Sequence, residues 1–263
     1  MSVLDEVLDD LRAETDALRC VVEPLDEAAW STPTPADGWD ITTTIAHLAW
    51  TDEAVVVAAT DPDGWDALVL RAIDDPDGFV DTEAFAAAAE GPAAVLTRWR
   101  AAGLAVVESL RNHPSGQKLP WFGPPMSPAS MATARFMETW AHGRDITDAL
   151  GVDVEATDRI RHVAHLGVRT RDFAYVTNGI DAPTEEFRIE LRSPSGATWE
   201  WGPADAAQSV TGPAEDFCLL VTRRRHRDDL DVVATGADAD RWLDIAQAFA
   251  GPPGGGRPAS GST

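Results

Sequence analysis

The sequence predicts a mixed fold of α and α+β parts, a four-helix bundle followed by a smaller α+β domain. Two observations carry this. Four amphipathic or capped helical segments fall within the first 150 residues, and the period then changes to strand-like alternation after residue 186. A chain of 263 residues has ample length for two such cores.

The first helix starts near Leu4. Leu4, Val7, Leu8, Leu11, Leu18, Val21 and Val22 recur mainly at spacings of three and four, giving one apolar stripe that Pro24 should close. A Pro- and Gly-rich loop, Ser31 to Gly38, follows, and Asp40 is placed to cap a second helix running to about Thr60. The acidic stretch after Asp61 has no clear period. Pro92 suits the first position of a third long helix, with Val95, Trp99, Leu104, Val107 and Leu110 roughly on one side. Leu119 to Met126 contains three prolines and must be a loop, an unusually apolar one with Trp121 and Phe122 exposed to choice between two roles, a flap over a site or a cap on the bundle. Ser127 and Pro128 then read as N-cap and first residue of a fourth helix reaching Leu150.

A further helix is expected from Thr157 to about Val176. Phe187 to Leu191 and Thr198 to Trp201 alternate around the turn Ser193 to Gly196, which makes a hairpin. Gln208 to Thr211 and Leu230 to Val233 are further strands, with helices over 213–223 and 237–249. The expected boundaries are a bundle over 1–152, a helix plus small α+β domain over 153–250, and a disordered Gly/Pro/Ser-rich tail over 251–263.

Lys+Arg number 21 against Asp+Glu 44, a formal charge of -23, which argues against phosphate-backbone binding and against an anionic membrane surface. No apolar run approaches the roughly 18 residues of a membrane span, and the first residues lack the order of a secretion signal, so a soluble cytoplasmic protein is expected. The two cysteines, Cys20 and Cys218, are too few for a disulfide framework and are expected to be reduced and buried. Lys118 is the only lysine, a bias that reads as genome composition.

The segment Arg135 to Asp145 is the most informative. At about 100° per residue Glu138 and His142 lie about 40° apart on the helix, so a carboxylate and an imidazole point the same way. Arg135 and Asp145 extend that stripe. Such a face is either solvated, with salt-bridging pairs, or functional. In the second helix His47 sits inside an apolar stretch, as a hydrogen-bonded core histidine or as a third ligand. Together His47, Glu138 and His142 would suit zinc with one coordination position open. With a divalent ion, two neutral imidazoles and one carboxylate would leave the site net cationic and able to hold a carboxylate. His162 and His165 have no carboxylate in register and are expected at the surface.

The loop Thr32 to Asp40, Ala46-His47-Leu48, and the pattern R-x-x-E-x-x-x-H-x-x-D over Arg135 to Asp145 together resemble the DinB-like, mycothiol-dependent maleylpyruvate isomerase type of metal-binding family. The resemblance covers the bundle. It implies that His47, Glu138 and His142 are metal ligands, most often for zinc, and that mycothiol is a cofactor. The second domain resembles the family's C-terminal domain more loosely, through the strand pair and Gly212 to Phe217. Family members carry an arginine after this helix that reaches the active site, and Arg224 is the choice among Arg223, Arg224 and Arg225. A cationic helix end complementing the dipole would place arginines there too.

The function expected is a zinc-dependent thiol transferase or isomerase, acting on a small-molecule electrophile with a low-molecular-weight thiol as partner, and with Asp145 and Arg224 as catalytic candidates. The alternatives are a hydrolase or lyase using zinc-bound water, with Asp145 as base or as the group orienting a ligating histidine, and a non-catalytic metal-binding stress protein.

Overall fold

The structure, a computed structural model, describes residues 2–251 and 254–261. They form two compact units, Met1–Asp153 and Val154–Thr263.

The first unit is the helical one. Its helices are α1 (Val3–Val22), a short α2 (Glu27–Trp30), α3 (Ile41–Thr60), α4 (Pro62–Asp74), α5 (Phe79–Ala88), α6 (Pro92–Asn112) and α7 (Pro128–Leu150). Each long helix begins where its capping chemistry dictates. Ser2 and Asp5 form a reciprocal capping box at α1, the Asp40 carboxylate accepts from Thr43 N at α3, and Ser127 accepts from Ser130 N at α7. Gly151, left-handed at φ 63°, ends α7.

Helices α1, α3, α6 and α7 make the bundle: α3 packs chiefly on α6 and α5, and α1 on α7. Leu18, Val22, Ile41, Ile45, Leu48, Val95, Trp99 and Ile146 fill its core. Helix α3 is buried almost all round over its first three turns, so a polar residue there must find a partner inside the unit. The acidic stretch without a clear period holds α4 and α5, whose Trp65, Leu68 and Phe79 form a second core with Trp50 and Ala54 of α3. Trp121 packs there as well, stacked on Trp65 at 5.8 Å, while Phe122 is half exposed against Trp50, Trp65 and Phe79.

The second unit carries α8 (Arg161–Arg169), α9 (Arg171–Thr177), β1 (Arg188–Arg192), β2 (Thr198–Trp201), β3 (Ser209–Pro213), α10 (Ala214–Val221), β4 (Val233–Thr235) and α11 (Ala237–Ile245). The sheet order is β2-β1-β3-β4, with β1 antiparallel to β2, parallel to β3, and β3 antiparallel to β4. The expected hairpin is present in register Ile189↔Trp201 around the turn at Gly196. Helix α10 lies on β1 and β3 and against α8. Among the described residues no helix is long and apolar enough to cross a membrane.

Several details differ from expectation. The segment read as one helix over 157–176 is a 3-10 turn, Asp158–Ile160, followed by two helices broken at Thr170. The last strand begins at Val233 rather than Leu230: a 3-10 turn covers Arg227–Asp229, and residues 230–232 are irregular. Cys218 is buried, but Cys20 is exposed on the outer face of α1. Residues 254–261 are tied to the second unit: Arg257 Nη1 donates to the Arg224 carbonyl at 2.8 Å and Ser260 N to the Asp229 carboxylate at 2.9 Å. Composition alone implied disorder for this tail; residues 252–253 and 262–263 lie outside those described.

Candidate metal centre

Two helices and one loop build the site. On α7, Glu138 and His142 stand one turn apart with His142 Nε2 3.3 Å from Glu138 Oε2. From α3, His47 Nε2 comes within 3.7 Å of the same carboxylate oxygen. The donor atoms of the three residues all lie within 4.8 Å of one another, and among the described residues this is the cluster of such side chains that could hold an ion. Two imidazole nitrogens and one carboxylate oxygen suit zinc or a similar divalent transition metal. No fourth protein donor belongs to the cluster among the described residues.

The surroundings favour that chemistry. Burial of His47 pushes its pKa down to about 4, against the hydrogen bond to Glu138, so the ring is neutral at pH 7, the form in which an imidazole can bind a metal. Burial would raise the Glu138 carboxyl, but hydrogen bonds and charge from His142 and His47 outweigh it and hold the group well below its ordinary 4.5. The carboxylate is therefore ionised and the imidazoles converge on it.

The two histidines are held differently. His142 Nδ1 faces the buried Asp145 carboxylate at 3.2 Å, which fixes the tautomer and leaves Nε2 directed at the cluster. His47 Nδ1 has no hydrogen-bond partner among the described residues, and packing orients the ring instead. Trp39 lies 5.0 Å from it and Trp50 6.1 Å away. Trp39 also stacks on His142 at 5.8 Å, and its Nε1 donates to Asp81 at 3.0 Å. It is the aromatic wall of the site. Its role was not legible beforehand; the one available signal was its position immediately before the Asp40 cap of the helix that carries His47.

Arg135, expected on the same stripe as Glu138 and His142, is 2% exposed and pairs with Asp52 of α3, Nε to Oδ1 at 2.8 Å. Asp52 was not singled out by the sequence. The pair joins the two helices three residues before Glu138 and five after His47. It fixes the relative height at which His47 faces Glu138 and His142. Trp121 and Phe122 touch Trp65, Trp50 and Phe79, so they stand behind Trp50 as seen from His47. In the second unit Arg224 is half-buried just past α10, its Nη1 donating to the Thr222 carbonyl at 2.7 Å. His165 is exposed and accepts from Trp201 Nε1 at 3.2 Å, and His162 is half-buried.

A helical bundle presenting two histidines and a carboxylate from facing helices defines a bundle protein of the DinB-like fold class with a candidate metal site. The chain belongs to the family of the mycothiol maleylpyruvate isomerase N-terminal domain, whose model matches residues 11–147. A second model, for wyosine base formation, matches residues 183–235. Two uncharacterized proteins of Mycobacterium tuberculosis, from strains CDC 1551 and H37Rv, are each 58% identical over 248 residues, covering 94% of this chain and 96% of theirs. Among solved structures, a mycothiol-dependent maleylpyruvate isomerase aligns with TM-score 0.57 at 15% identity, over 88% of this chain and 92% of that one. A histidine-to-alanine mutant of that isomerase aligns with TM-score 0.58 at 17% identity and the same coverage. The fold is therefore that of the isomerase.

Proposed function

We propose that this protein is a metal-dependent enzyme in which His47, Glu138 and His142 hold a divalent ion, most suitably zinc, and that a small thiol, mycothiol by family membership, is activated there for attack on an electrophilic small molecule. The observation that carries the reading is the convergence of three donors with no fourth from the protein among the described residues. A closed structural site would use four. A divalent ion held by His47, Glu138 and His142 would supply Lewis acidity that lowers the pKa of a small thiol bound there, favouring the thiolate at neutral pH.

The residues of this chain do the rest. Glu138 supplies the anionic donor, and His47 is held neutral by burial. Asp145 keeps the proton of His142 on Nδ1, away from the cluster. Trp39 and Trp50 exclude water from one side of the imidazoles. Counting Asp145, two carboxylates would offset the double charge of a bound ion, so the centre would be neutral rather than cationic, as His47, Glu138 and His142 alone implied. A substrate carboxylate would then need a separate cation, and we assign that role to Arg224 on the strength of the family pattern.

The test is elemental analysis of the purified protein beside His142→Ala, followed by thiol titration of the cobalt-substituted enzyme. About one metal per chain in the wild type, its loss in the variant, and a thiol-dependent sulfur-to-cobalt charge-transfer band are expected. Metal content unaffected by His142→Ala would end the proposal. A band that appears in Arg224→Met with turnover lost would support Arg224 as a substrate group, whereas full turnover in that variant would remove it from the site. Metal without a thiol band would favour water as the nucleophile.

A further inference from the structure

The end of α10 carries a residue that its backbone does not favour. Thr222 is the C-cap, and the two bonds that follow, Arg223 N to the Leu220 carbonyl at 2.9 Å and Arg224 N to the Leu219 carbonyl at 2.8 Å, are those of a Schellman turn. Such a turn needs a left-handed residue at the position after the cap, and glycine is the usual choice. Here it is Arg223 at φ 57°, the one non-glycine residue with positive φ among those described. A long side chain held in this region is an uncommon arrangement, and it points to a use for the side chain.

The Arg223 guanidinium opens into a cavity of about 270 Å³ within the second unit, with Arg225, His226, Arg227 and Arg257 also on its wall. The carboxylates there are Asp228 and Asp244, and Asp244 is already engaged by Arg227 at 2.7 Å. Arg223 itself has no hydrogen-bonding or ion-pair partner for its side chain among the described residues. Half-burial without an anion nearby lowers its pKa from the ordinary 12.5. Gly255 and Gly256 of the tail complete the wall, and a side chain at Gly256 would come within 3.6 Å of Arg223 Nη1. Four arginines line one small cavity in a chain whose formal charge is -23. Arg227 is paired with Asp240 and Asp244, and Arg225 and Arg257 each donate to the Arg224 carbonyl, which leaves Arg223 as the guanidinium open to a ligand. Arg224 does not line it.

We propose that this cavity is a binding site for a small polyanion bearing phosphate or carboxylate groups, with Arg223 as its anchor and the tail around Arg257 as its outer wall. Guanidinium forks suit both oxyanions, and the volume admits a molecule of a few heavy groups and no macromolecule. Every lining residue belongs to the second unit, and the proposal does not rest on the function proposed for the His47, Glu138 and His142 cluster.

The experiment uses the full chain, stripped of metal with chelator so that the anion has no ion to bind, at fixed ionic strength in sodium chloride. Pyrophosphate and citrate are titrated by calorimetry, and melting is followed in parallel. Saturable binding of at least one is expected: pyrophosphate alone identifies a phosphate ligand, citrate alone a carboxylate one. Arg223→Gly places the residue the turn prefers, so this variant should melt no lower than the wild type while losing at least tenfold in affinity. Arg257→Gln should weaken binding several-fold. Absence of saturable binding to the wild type, undiminished affinity in Arg223→Gly, or a marked fall in its melting temperature, which would make Arg223 a structural residue, each overturns the proposal.

Discussion

At the scale of single residues, the asymmetry between the two histidines makes a specific prediction. Asp145 orients His142 through Nδ1 and is 1% exposed, whereas His47 has only packing to hold it. Losing such a carboxylate typically costs 10- to 100-fold in metal affinity. Asp145→Asn should therefore weaken metal binding by about that factor while leaving the helical circular dichroism unchanged, as chelator competition would measure. The pH behaviour of the metal-free protein follows from His47. Its folded pKa of about 4 lies below the unfolded 6.5, so the unfolded chain takes up the proton first. The stability associated with a neutral His47 is complete above pH 6.5 and is lost as pH falls from there to about 4, a loss of about 3 kcal/mol at 1.36 kcal/mol per unit. Urea denaturation of the apo protein across that range should show it, and His47→Gln should flatten the profile. The convergence of the three side chains was legible in the sequence because helical spacing set Glu138 beside His142 and the lone His47 stood out against Ile45 and Leu48. Trp39 and Asp52 were not, since their partners lie 42 and 83 positions away along the chain.

At the scale of elements, caps decided what could be read. The long helices starting at Ile41, Pro92 and Pro128 announce themselves by Asp40, Pro92 and Ser127. The break between α8 and α9 does not, because Thr170 is unremarkable locally. Its Oγ1 bonds back to the Leu166 and Gly167 carbonyls and also reaches the Gln247 carbonyl at 2.8 Å, a distant contact that bends the helix there. Two interfaces between elements are testable. Arg135 and Asp52 are both buried, so Asp52→Ala strands a guanidinium between α3 and α7 and should cost about 3–5 kcal/mol. Arg135→Met with Asp52→Leu should recover most of that in chemical denaturation, but with weakened metal binding if the pair sets the height of His47 against Glu138. In the second unit a side chain at Gly167 of α8 would meet Val221 Cγ2 of α10 at 2.8 Å. Overpacking against a stiff β-branched neighbour costs about 1–3 kcal/mol, more than the roughly 1 kcal/mol that alanine adds to helix propensity. Gly167→Ala should therefore lower the melting temperature rather than raise it.

At the scale of the whole molecule, the formal charge of -23 governs how ions act on stability. Acidic side chains crowd the surface, and their mutual repulsion destabilises the folded chain, so any salt that screens it should raise the melting temperature. Divalent cations would do this without a site, through the carboxylates at large. A bound ion behaves differently: it stabilises by RT ln(1 + [L]/Kd), about 2.7 kcal/mol when free metal is a hundredfold above Kd. The two effects separate by stoichiometry and by mutant. In 0.15 M sodium chloride, where screening is already largely present, adding zinc to the apo wild type should raise the melting temperature at micromolar concentration, with a break near one equivalent, and magnesium at the same concentration should do little because it lacks affinity for imidazole. His142→Ala and Glu138→Gln should lose the early rise while keeping the slow increase that salt gives. An equal early rise in all three proteins would assign the zinc response to the acidic surface and leave the His47, Glu138 and His142 cluster without an ion.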